Sequence, residues 1–469
     1  MNKFSETILP HGAGNFKGIL QWMLRMVVRS YASHLGHLLS AMDQALAVKN
    51  KFTRTMSGWE SIGRRKRSIV SLFGFEITYC RRGYRKNIDG RITYRYPLDE
   101  FLGLKEGERF CPLTQEMAIS LAARMPFREA AFILNHYLNI PVTHQVIHKW
   151  VTEAGRTREE ELKKGEEAVF LDGEIPPGRE EIDTLLVEAD GVIVPLQRSK
   201  DRQVELKLGV CHQGSFPTDP SKKRFALKNK FLWGGVMDAS SFWERGSFLI
   251  FSRYRSVGRM VVNGDGADWV KEAKEYFPNT QIFLDRFHRN RALTQGLAFD
   301  PKLRQEAFSA LRDNDPDRLS FTLAQAFLKA PSRTEEKKVR ELKRYFDNNR
   351  EGLFPPPDDR LGAQEGQVSH TLARRMKKRG MSWTRTGAHY MANLRFLLAQ
   401  GELEAWVSSY QQKRWPDADP RALKEVVSKS GEDPSGWLRA KVPVLATALV
   451  SSPLGEALKA LSFIPAGVA

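Results

Sequence analysis

The spacing of apolar residues along the chain predicts which stretches are helical and which form strands. Residues 17–50 carry apolar side chains at helical intervals, and this spacing predicts an amphipathic arm that packs on another part of the chain or on a second subunit. Ser68–Cys80 is rich in β-branched and aromatic residues and predicts a strand. Asp89-Gly90, between Arg- and Tyr-rich flanks, predicts the turn of a β-hairpin.

Three helix-start signals follow within residues 113–155. Thr114 is predicted to cap a first helix, Pro126 to open a second and Thr143 to cap a third. Helices separated by a short turn are typical of a helix-turn-helix, although an ordinary three-helix packing unit fits the same pattern. The residues predicted to face DNA from the third helix are Gln145, His148 and Lys149.

From Leu185 to Leu284 the pattern changes to α/β. Three meander-like strands, a helix, a strand, a helix and a fifth strand follow one another, which is the order of a ribonuclease-H-like sheet. The segment Ala189-Asp190-Gly191 predicts a polar break in the first strand. Charge-rich residues 156–182 predict a linker before the sheet, and residues 295–350 are helical and charged without a strand signal.

The charge balance narrows the choice of partner. The 73 Lys and Arg residues exceed the 55 Asp and Glu residues, giving a net charge of +18. Such an excess favours a polyanionic partner, with nucleic acid first. Three widely spaced cysteines exclude a disulfide scaffold and any zinc site built only from Cys-x-x-Cys pairs. Because no secretory signal or membrane-spanning run stands near the N-terminus, we expect a cytoplasmic protein without a membrane partner.

The positive charge is densest between residues 51 and 95, where aromatic residues are interleaved with Arg and Lys. A basic hairpin can hold phosphates by charge and offer rings for stacking. A solvated sheet face with an aromatic core side is the alternative. The residues of this segment predicted to contact DNA are Arg64, Arg65, Lys66, Arg67, Arg81, Arg82, Arg85 and Lys86.

Two aspartates are notable for their position in the predicted sheet. Asp190 interrupts an apolar strand, and Asp265 follows one between Gly264 and Gly266. A carboxylate in a sheet core costs several kcal/mol unless it is paired or binds a metal. Two such groups on adjacent strands form the oxygen-rich site that Mg²⁺ prefers. Either aspartate could instead be a turn or helix-cap residue.

A third carboxylate is expected from a helix, and Glu365 is the candidate. It opens a predicted helix through Met376 whose far side is dense in cations. A common alternative is a first-turn Glu that stabilises the helix dipole. Together the three acidic residues predict a site for two Mg²⁺ or Mn²⁺ ions, which could cleave a phosphodiester.

Six segments carry a resemblance to a known family: EADGVIVPLQ, ELKLGV, SFWE, NGDGADW, FLDRFHRNRAL and EGQVSHTLARRMKKRGMSW. In this order they resemble the bacterial insertion-sequence transposases of the ISLre-two family, relatives of the Mutator-like transposases. The resemblance implies a ribonuclease-H-like core with an all-α insertion and a DDE triad at Asp190, Asp265 and Glu365. It also implies an Asp-x-x-His motif at Asp285 and His288, for which we expect a second-shell role.

The resemblance implies a DNA transposase, with double-stranded DNA at transposon ends and targets as its partner. We expect a homodimer or larger assembly, nucleoid association and no small-molecule cofactor. Further cations predicted to face phosphate are Arg286, Arg289, Arg374, Arg375, Lys377 and Lys378. The expected divisions are an arm at 1–50, a basic β-rich segment at 51–112, a helix-turn-helix at 113–160, core at 183–294, insertion at 295–360, the Glu-bearing core helix at 361–400 and a helical region at 401–469.

Three rival functions fit parts of the pattern. A non-catalytic DNA-binding regulator, derived from a transposase, would use the basic hairpin and the helix-turn-helix without needing divalent ions. A ribonuclease-H-like nuclease would cut DNA without joining it. A phosphohydrolase of small substrates is weaker, since it gives the basic N-terminal region no purpose.

Overall fold

The computed structural model describes residues 15–48, 58–174, 176–219, 224–354, 361–362, 364–377 and 380–414. It is a mixed α/β structure, which confirms the predicted class. The chain divides into two compact units. The first consists of Met1–Met117, Ala131–Val142 and Ser408–Ala469, and the second of Ala118–Ala130 and Thr143–Val407.

The first unit contains an antiparallel sheet of three strands, β1 (Glu60–Val70), β2 (Glu76–Ile88) and β3 (Arg91–Arg95). The predicted hairpin turn is confirmed: Asp89 and Gly90 have φ of 51° and 81°, as a two-residue turn with both φ positive requires. The prediction of one strand over Ser68–Cys80 is wrong. Phe73 and Gly74 also adopt positive φ, so the chain reverses there and the segment is divided between β1 and β2.

The predicted helical arm is confirmed as α1 (Phe16–Val48). Its Met42 and Leu46 join a core with Ile77 and Tyr79 of β2. Side chains of α1 also cover the part of β2 that β3 leaves unpaired. Ser40 Oγ and Asp43 Oδ1 accept hydrogen bonds there from the Cys80 and Arg82 N–H groups at 3.0 and 2.8 Å. Residues 1–14 and 49–57, which belong to the predicted arm and basic segment, lie outside the described part of the chain.

Three further helices follow, α2 (Pro97–Phe101), α3 (Pro112–Arg124) and α4 (Phe127–Leu138). Since α3 begins at Pro112, Thr114 lies in its first turn and is fully buried. The prediction that Thr114 caps this helix is therefore wrong.

The long helix α5 (His144–Phe170), 27 residues in length, belongs to the second unit. Thr143 caps it as predicted, because its side chain accepts from the Val146 N–H at 3.4 Å. The predicted linker over 156–182 is wrong. Buried Ala154 and Leu162 continue the apolar face of α5 through that stretch, so the helix persists to Phe170.

Seven strands follow: β4 (Glu180–Pro195), β5 (Gln203–His212), β6 (Ser215–Asp219), β7 (Arg224–Leu227), β8 (Phe231–Gly235), β9 (Tyr254–Gly264) and β10 (Thr280–Leu284). Five of them form one sheet in the order β10-β9-β4-β5-β8. Strands β10, β9 and β4 are parallel neighbours, whereas β5 is antiparallel to both β4 and β8. Strands β6 and β7 form a separate hairpin, which the sequence did not predict.

The predicted break in the first strand is wrong, because β4 is continuous. Asp190 and Gly191 keep their register with Leu208 and Lys207 of β5. The carboxylate therefore stands on an intact strand and does not end it.

Helices cover one face of this sheet. They are α6 (Ala239–Phe251), α7 (Asp268–Lys271) and α8 (Ala273–Tyr276). Leu185, Val187 and Ala189 of β4 pack into the same buried cluster as Trp233 and Trp243. Because side chains alternate along a strand, Leu186, Glu188 and Asp190 belong to the opposite face.

A second buried cluster lies under four helices, α9 (Arg286–Gly296), α10 (Pro301–Arg312), α11 (Pro316–Leu328) and α12 (Arg333–Asp347). Each helix begins at a side-chain cap, namely Asp285, Asp300, Asp315 and Ser332. These helices account for the predicted helical block at 295–350, of which the structure describes all residues.

The remaining elements are α13 (Gln364–Val368), a π-helical turn (Ser369–Ala373), α14 (Arg374–Met376), α15 (Arg385–Gln400) and α16 (Leu403–Arg414). The single predicted helix from Glu365 to Met376 is thus interrupted by a π turn. Residues 355–360 and 415–469 of the predicted segments lie outside the described part of the chain. In the portion of the chain that the structure describes, no helix has the length and apolar character needed to cross a membrane.

Candidate active site

Three aspartates occupy one level of the sheet: Asp265 and Asp285 follow the last residues of β9 and β10, and Asp190 lies within β4 where its pairing with β9 stops. Ala189 of β4 pairs with Gly264 of β9, and Gly264 pairs with Leu284 of β10. The residues that follow are Asp190, Asp265 and Asp285. Neighbouring strands are about 4.8 Å apart, so this register gathers the three carboxyl groups at one sheet edge.

The aspartates at the two predicted metal-binding positions are half-buried. Asp190 Oδ1 accepts from the Gly191 N–H at 2.7 Å, and Asp265 Oδ1 accepts from the Ala267 N–H at 3.0 Å. Tyr345 of α12 donates to the Asp265 carbonyl oxygen at 2.6 Å. Backbone N–H groups therefore orient both carboxyl groups. The Tyr345 hydroxyl also holds the backbone of the glycine-flanked turn at Asp265.

Asp285 has a different environment from the other two. Its Oδ2 caps α9 by accepting from the Phe287 and His288 N–H groups at 2.9 and 3.1 Å, and the His288 ring donates to it from Nδ1 at 3.1 Å. Asn263 of β9 donates to its Oδ1 at 3.1 Å. Burial opposes ionisation of Asp285, but the bonds from His288 and Asn263 together lower its pKa below the ordinary value.

His288 interacts with the charges of Asp190 and Asp265 as well as with its hydrogen-bond partner Asp285. Its pKa is raised, first by the hydrogen bond with Asp285, against the opposing effect of burial, and then by the charges of Asp190, Asp285 and Asp265. All three carboxylates therefore lie within electrostatic reach of one imidazole. Asp285 and His288 both orient each other and stand beside Asp190 and Asp265.

Glu365 lies in α13, which packs on β4 and β5. The Glu365 side chain itself lies outside the described part of the chain. Leu361, three residues before this helix, packs on Leu186, Val261 and Phe283, which belong to the sheet face that carries Asp190. The helix that bears Glu365 is therefore on the same side of the sheet as the aspartates.

Carboxylate oxygens dominate the donor set, and such ligands suit Mg²⁺ or Mn²⁺. Among the residues whose side chains the structure describes, no three His, Cys, Asp or Glu side chains form a metal-holding group. Asp190 and Asp265 each offer a carboxylate at this place, and the helix carrying Glu365 packs on β4 and β5. The residues present fit a divalent ion of this type.

Several cations predicted to contact DNA are buried, which corrects their assignment. Arg289 donates to the Leu353 carbonyl at 3.0 Å. Arg375, 3% exposed, donates to the Ala122 carbonyl at 2.9 Å and lies over the Phe127 and Trp383 rings. Burial, with a smaller effect from the Arg395 charge, lowers the pKa of Arg375 to about 10. These guanidinium groups hold the fold together and do not face solvent.

Two cations of the basic sheet are also corrected. Arg67 and Arg81 both bind the buried carboxylate of Asp99, with Arg67 Nη1 at 2.6 Å from Asp99 Oδ2. Tyr79 donates to the other Asp99 oxygen at 2.9 Å. These two arginines are committed to an internal ion-pair network of the first unit.

The other predicted cations are more accessible. Arg85 pairs with Glu60 at 2.9 Å on the surface, and half-buried Arg82 lies 3.8 Å from Asp43. The structure leaves the following predicted DNA-facing residues exposed: Arg64, Arg65, Lys66, Lys86, Gln145, His148, Lys149, Arg286, Arg374 and Lys377. Lys378 lies outside the described residues.

Sequence reasoning missed the buried polar residues that support the site. Glu188 is two residues before Asp190 and Asn263 is two before Asp265, so both lie one step deeper on the same sheet face. The signal was present, since each is a polar residue inside an otherwise apolar strand. A second network, Glu159 with Arg245 and His389, lies elsewhere in the unit and had no local sequence signal.

Comparison with known proteins gives a family match. Residues 13–413 match the family described as "Uncharacterised protein family (UPF0236)". A UPF0236 protein of Caldanaerobacter subterraneus is 26% identical over 357 residues, covering 74% of this chain and 71% of the relative. A second protein of that organism is 26% identical over 361 residues, with the same coverage. A Streptococcus gallolyticus UPF0236 protein, named for the vanSb 3′ region, is 26% identical and covers 92% of this chain and 94% of its own.

Proposed function

The chain belongs to the uncharacterised protein family UPF0236, and we propose that it is a DDE transposase of a bacterial insertion sequence, similar to the ISLre-two family. One observation carries the proposal. Asp190 and Asp265 follow paired residues of two adjacent parallel strands, and the helix bearing Glu365 packs on the strand that carries Asp190. This is the arrangement of acidic residues that the proposed triad requires.

The sheet supports the proposal of a ribonuclease-H-like core. Its first three long strands, β4, β5 and β8, run antiparallel as a meander, and β9 and β10 then add in parallel on the other side of β4. Helices connect β8 to β9 and β9 to β10. The four helices α9 to α12 lie between β10 and the Glu365 helix, as expected of an all-α insertion.

In this proposal Asp190, Asp265 and Glu365 hold two Mg²⁺ or Mn²⁺ ions. Such ions activate an attacking oxygen and stabilise the leaving oxygen of a phosphodiester. The chain's own groups orient the site: Asp285 and His288 fix each other beside the two aspartates. Since Asp285 is occupied by the helix cap, His288 and Asn263, we assign it a supporting role.

The names of the relatives support a mobile element. The printed name of one Caldanaerobacter protein joins eleven locus designations, that of a second joins four and that of a third joins two. Insertion sequences multiply within a genome, and one protein encoded at many loci is the result that such multiplication leaves.

The proposed partner is double-stranded DNA, both at the transposon ends and at the target. The exposed cations of the basic sheet and of α5, α9 and α14 are the proposed phosphate contacts. We propose that the enzyme acts in the cytoplasm at the nucleoid, as a homodimer or larger assembly on paired ends.

The test is cleavage of a labelled DNA fragment carrying one end of the element, with Mg²⁺, by Asp190→Asn and Asp265→Asn variants. Each substitution removes a charged metal ligand and keeps the side chain's size. We expect cleavage to fall by at least about 10³-fold, while binding of the fragment in Ca²⁺ or EDTA stays within about twofold.

Asp268→Asn is the matched control, since Asp268 is exposed and only three residues beyond Asp265. It should cleave as the wild type does. Undiminished cleavage by Asp190→Asn would overturn the proposal. A strand-transfer assay with precut ends separates a transposase from a nuclease that does not join DNA, and binding without any cleavage in wild type would favour the regulator.

A further inference from the structure

A buried carboxylate–histidine pair lies directly beneath the proposed metal ligands. Glu188 of β4 and His212 of β5 are both fully buried, and Glu188 Oε1 lies 3.2 Å from His212 Nε2. His212 Nδ1 lies 3.1 Å from the Gly214 nitrogen and 3.3 Å from the Gly214 carbonyl oxygen. A carboxylate oxygen can only accept a hydrogen bond, so the Nε2–H group donates to Glu188. The histidine thus fixes one oxygen of the carboxylate.

The second oxygen of Glu188 bonds to the backbone of a residue outside the sheet. Glu188 Oε2 accepts from the Gly362 N–H at 3.3 Å, and Gly362 is three residues before Glu365. Gly362 has φ of 112°, a conformation that glycine adopts without strain. The carboxylate therefore joins the strand that carries Asp190 to the turn that starts the Glu365 helix.

Simple packing does not explain a glutamate here. Leu186, the preceding residue on this face, packs with Val261, Phe283 and Leu361, so an apolar side chain would suit the surroundings. An ion or carboxylate at such a depth is costly unless its bonds are satisfied. The carboxylate accepts a hydrogen bond from the Gly362 N–H, and an apolar side chain could not accept it.

We propose that Glu188 is a positioning residue, which holds the start of the Glu365 helix over β4 so that Glu365 meets Asp190 and Asp265 at the metal site. The inference rests on the proposed function, since it concerns assembly of the same triad. One strand then supplies both a metal ligand and, two residues earlier, the anchor for the third ligand. His212 acts through Glu188 by fixing its orientation.

The test uses Glu188→Gln in the full-length chain. Glutamine keeps the shape but offers one acceptor oxygen, so its NH₂ group must oppose either the His212 Nε2–H or the Gly362 N–H. We expect hydrogen exchange, followed by mass spectrometry, to accelerate at least tenfold in peptides covering 361–368 and to stay unchanged in β9. Mn²⁺ affinity, measured by electron paramagnetic resonance, should weaken by about 10–100-fold.

Glu181→Gln is the matched control, because Glu181 lies on the same strand but is exposed and paired with Arg255. It should change neither readout. Unaltered exchange at 361–368 together with unaltered Mn²⁺ affinity in Glu188→Gln would overturn the positioning role. If that variant does not fold, exchange in the wild type decides: a Gly362 amide that exchanges at the rate of an unstructured peptide also overturns it.

The two proposals fail in different ways. If Asp190→Asn retains full cleavage while Glu188→Gln still releases residues 361–368, the transposase assignment fails and the anchoring bond stands. If Asp190→Asn abolishes cleavage while Glu188→Gln leaves exchange and Mn²⁺ binding intact, the assignment stands and the positioning role fails.

Discussion

The three aspartates Asp190, Asp265 and Asp285 differ in burial and in hydrogen-bond partners. Asp190 and Asp265 each accept a backbone N–H bond, whereas Asp285 is enclosed by a helix cap, an amide and an imidazole. Both oxygens of Asp285 accept hydrogen bonds from the protein, which suits a carboxylate that orients His288. Burial and hydrogen bonding therefore distinguish Asp285 from Asp190 and Asp265, which supports the separate role proposed for it.

The pair of Asp285 and His288 predicts a pH-dependent stability. The raised pKa of His288 means that its contribution is complete below the unfolded value of about 6.5 and is lost as pH rises through the folded pKa. The lowered pKa of Asp285 means that its contribution is complete above about 3.9 and is lost as pH falls through the folded pKa. The pair should therefore stabilise most between about pH 4 and 6.5.

His288→Gln tests this expectation in metal-free buffer by urea unfolding at several pH values. The variant should lose more stability relative to wild type at pH 5.5 than at pH 9. His136→Gln, an exposed ring of the first unit, serves as the control. A loss that is the same at both pH values would contradict the charged pair.

Gly74 lies at a position where both backbone conformation and space favour glycine. It has φ of 72°, and an added Cβ would collide with the backbone carbonyl of Asn139. Gly63 has φ of 78° and open space around it. Gly74→Ala should therefore destabilise the chain by about 1–3 kcal/mol more than Gly63→Ala, as measured by urea unfolding. Equal losses would mean that backbone strain alone decides at Gly74.

At the scale of elements, strand and helix identity followed the sequence where periodicity was strong. The five sheet strands and the helix α1 were predictable because each buries one regular face. The errors have physical causes: Asp190 looked like a break because cross-strand pairing with β5 is invisible locally, and α5 looked like a linker because its charged face outnumbers its narrow buried face. Of the site, the aspartates could be predicted, and Glu188 carried a local signal as a polar residue in an apolar strand. Its pairing with His212 could not be predicted, since the two residues are 24 positions apart in the sequence.

Three elements of the second unit are joined by a network that predicts a large mutational effect. Glu159 of α5 accepts from Arg245 of α6 at 2.8 and 2.9 Å and from His389 of α15 at 2.6 Å. Burial opposes ionisation of Glu159, but the bonds from His389 and Arg245 hold its pKa well below the ordinary value. Glu159→Gln should cost about 1–3 kcal/mol in unfolding free energy, because buried Arg245 loses one of its two carboxylate partners and keeps Glu166.

Glu160→Gln is the control for this network, since the neighbouring side chain is exposed beside Arg156. Its unfolding free energy should stay within about 0.5 kcal/mol of wild type. Denaturant unfolding monitored by fluorescence compares the two variants directly. A small cost for Glu159→Gln would show that the three helices are held together by apolar packing.

At the scale of the whole molecule, the net charge of +18 is not one uniform property. Part of it is internal, as in Arg67, Arg81, Arg289 and Arg375, where guanidinium groups bind carboxylates, carbonyls or aromatic rings. Sequence alone could not divide the cations in this way, because the partners lie far along the chain. Only the exposed cations can release counterions from DNA.

This division predicts how salt should affect DNA binding. Arg64, Arg65 and Lys66 are exposed on β1, whereas the adjacent Arg67 is bound to Asp99. Each phosphate contact contributes about 0.9 to the slope of log affinity against log salt concentration. Replacing the three exposed residues with Ala should reduce this slope by up to about 2.7 in fluorescence anisotropy titrations. Arg67→Met should leave the slope unchanged in the folded protein. It should instead lower the free energy of unfolding by about 1–3 kcal/mol, because Asp99 loses one of its two arginine partners and keeps Arg81. An unchanged slope in the triple variant would remove this face of β1 from the proposed DNA-binding surface, and a reduced slope in Arg67→Met would mean that its ion pair opens when DNA binds.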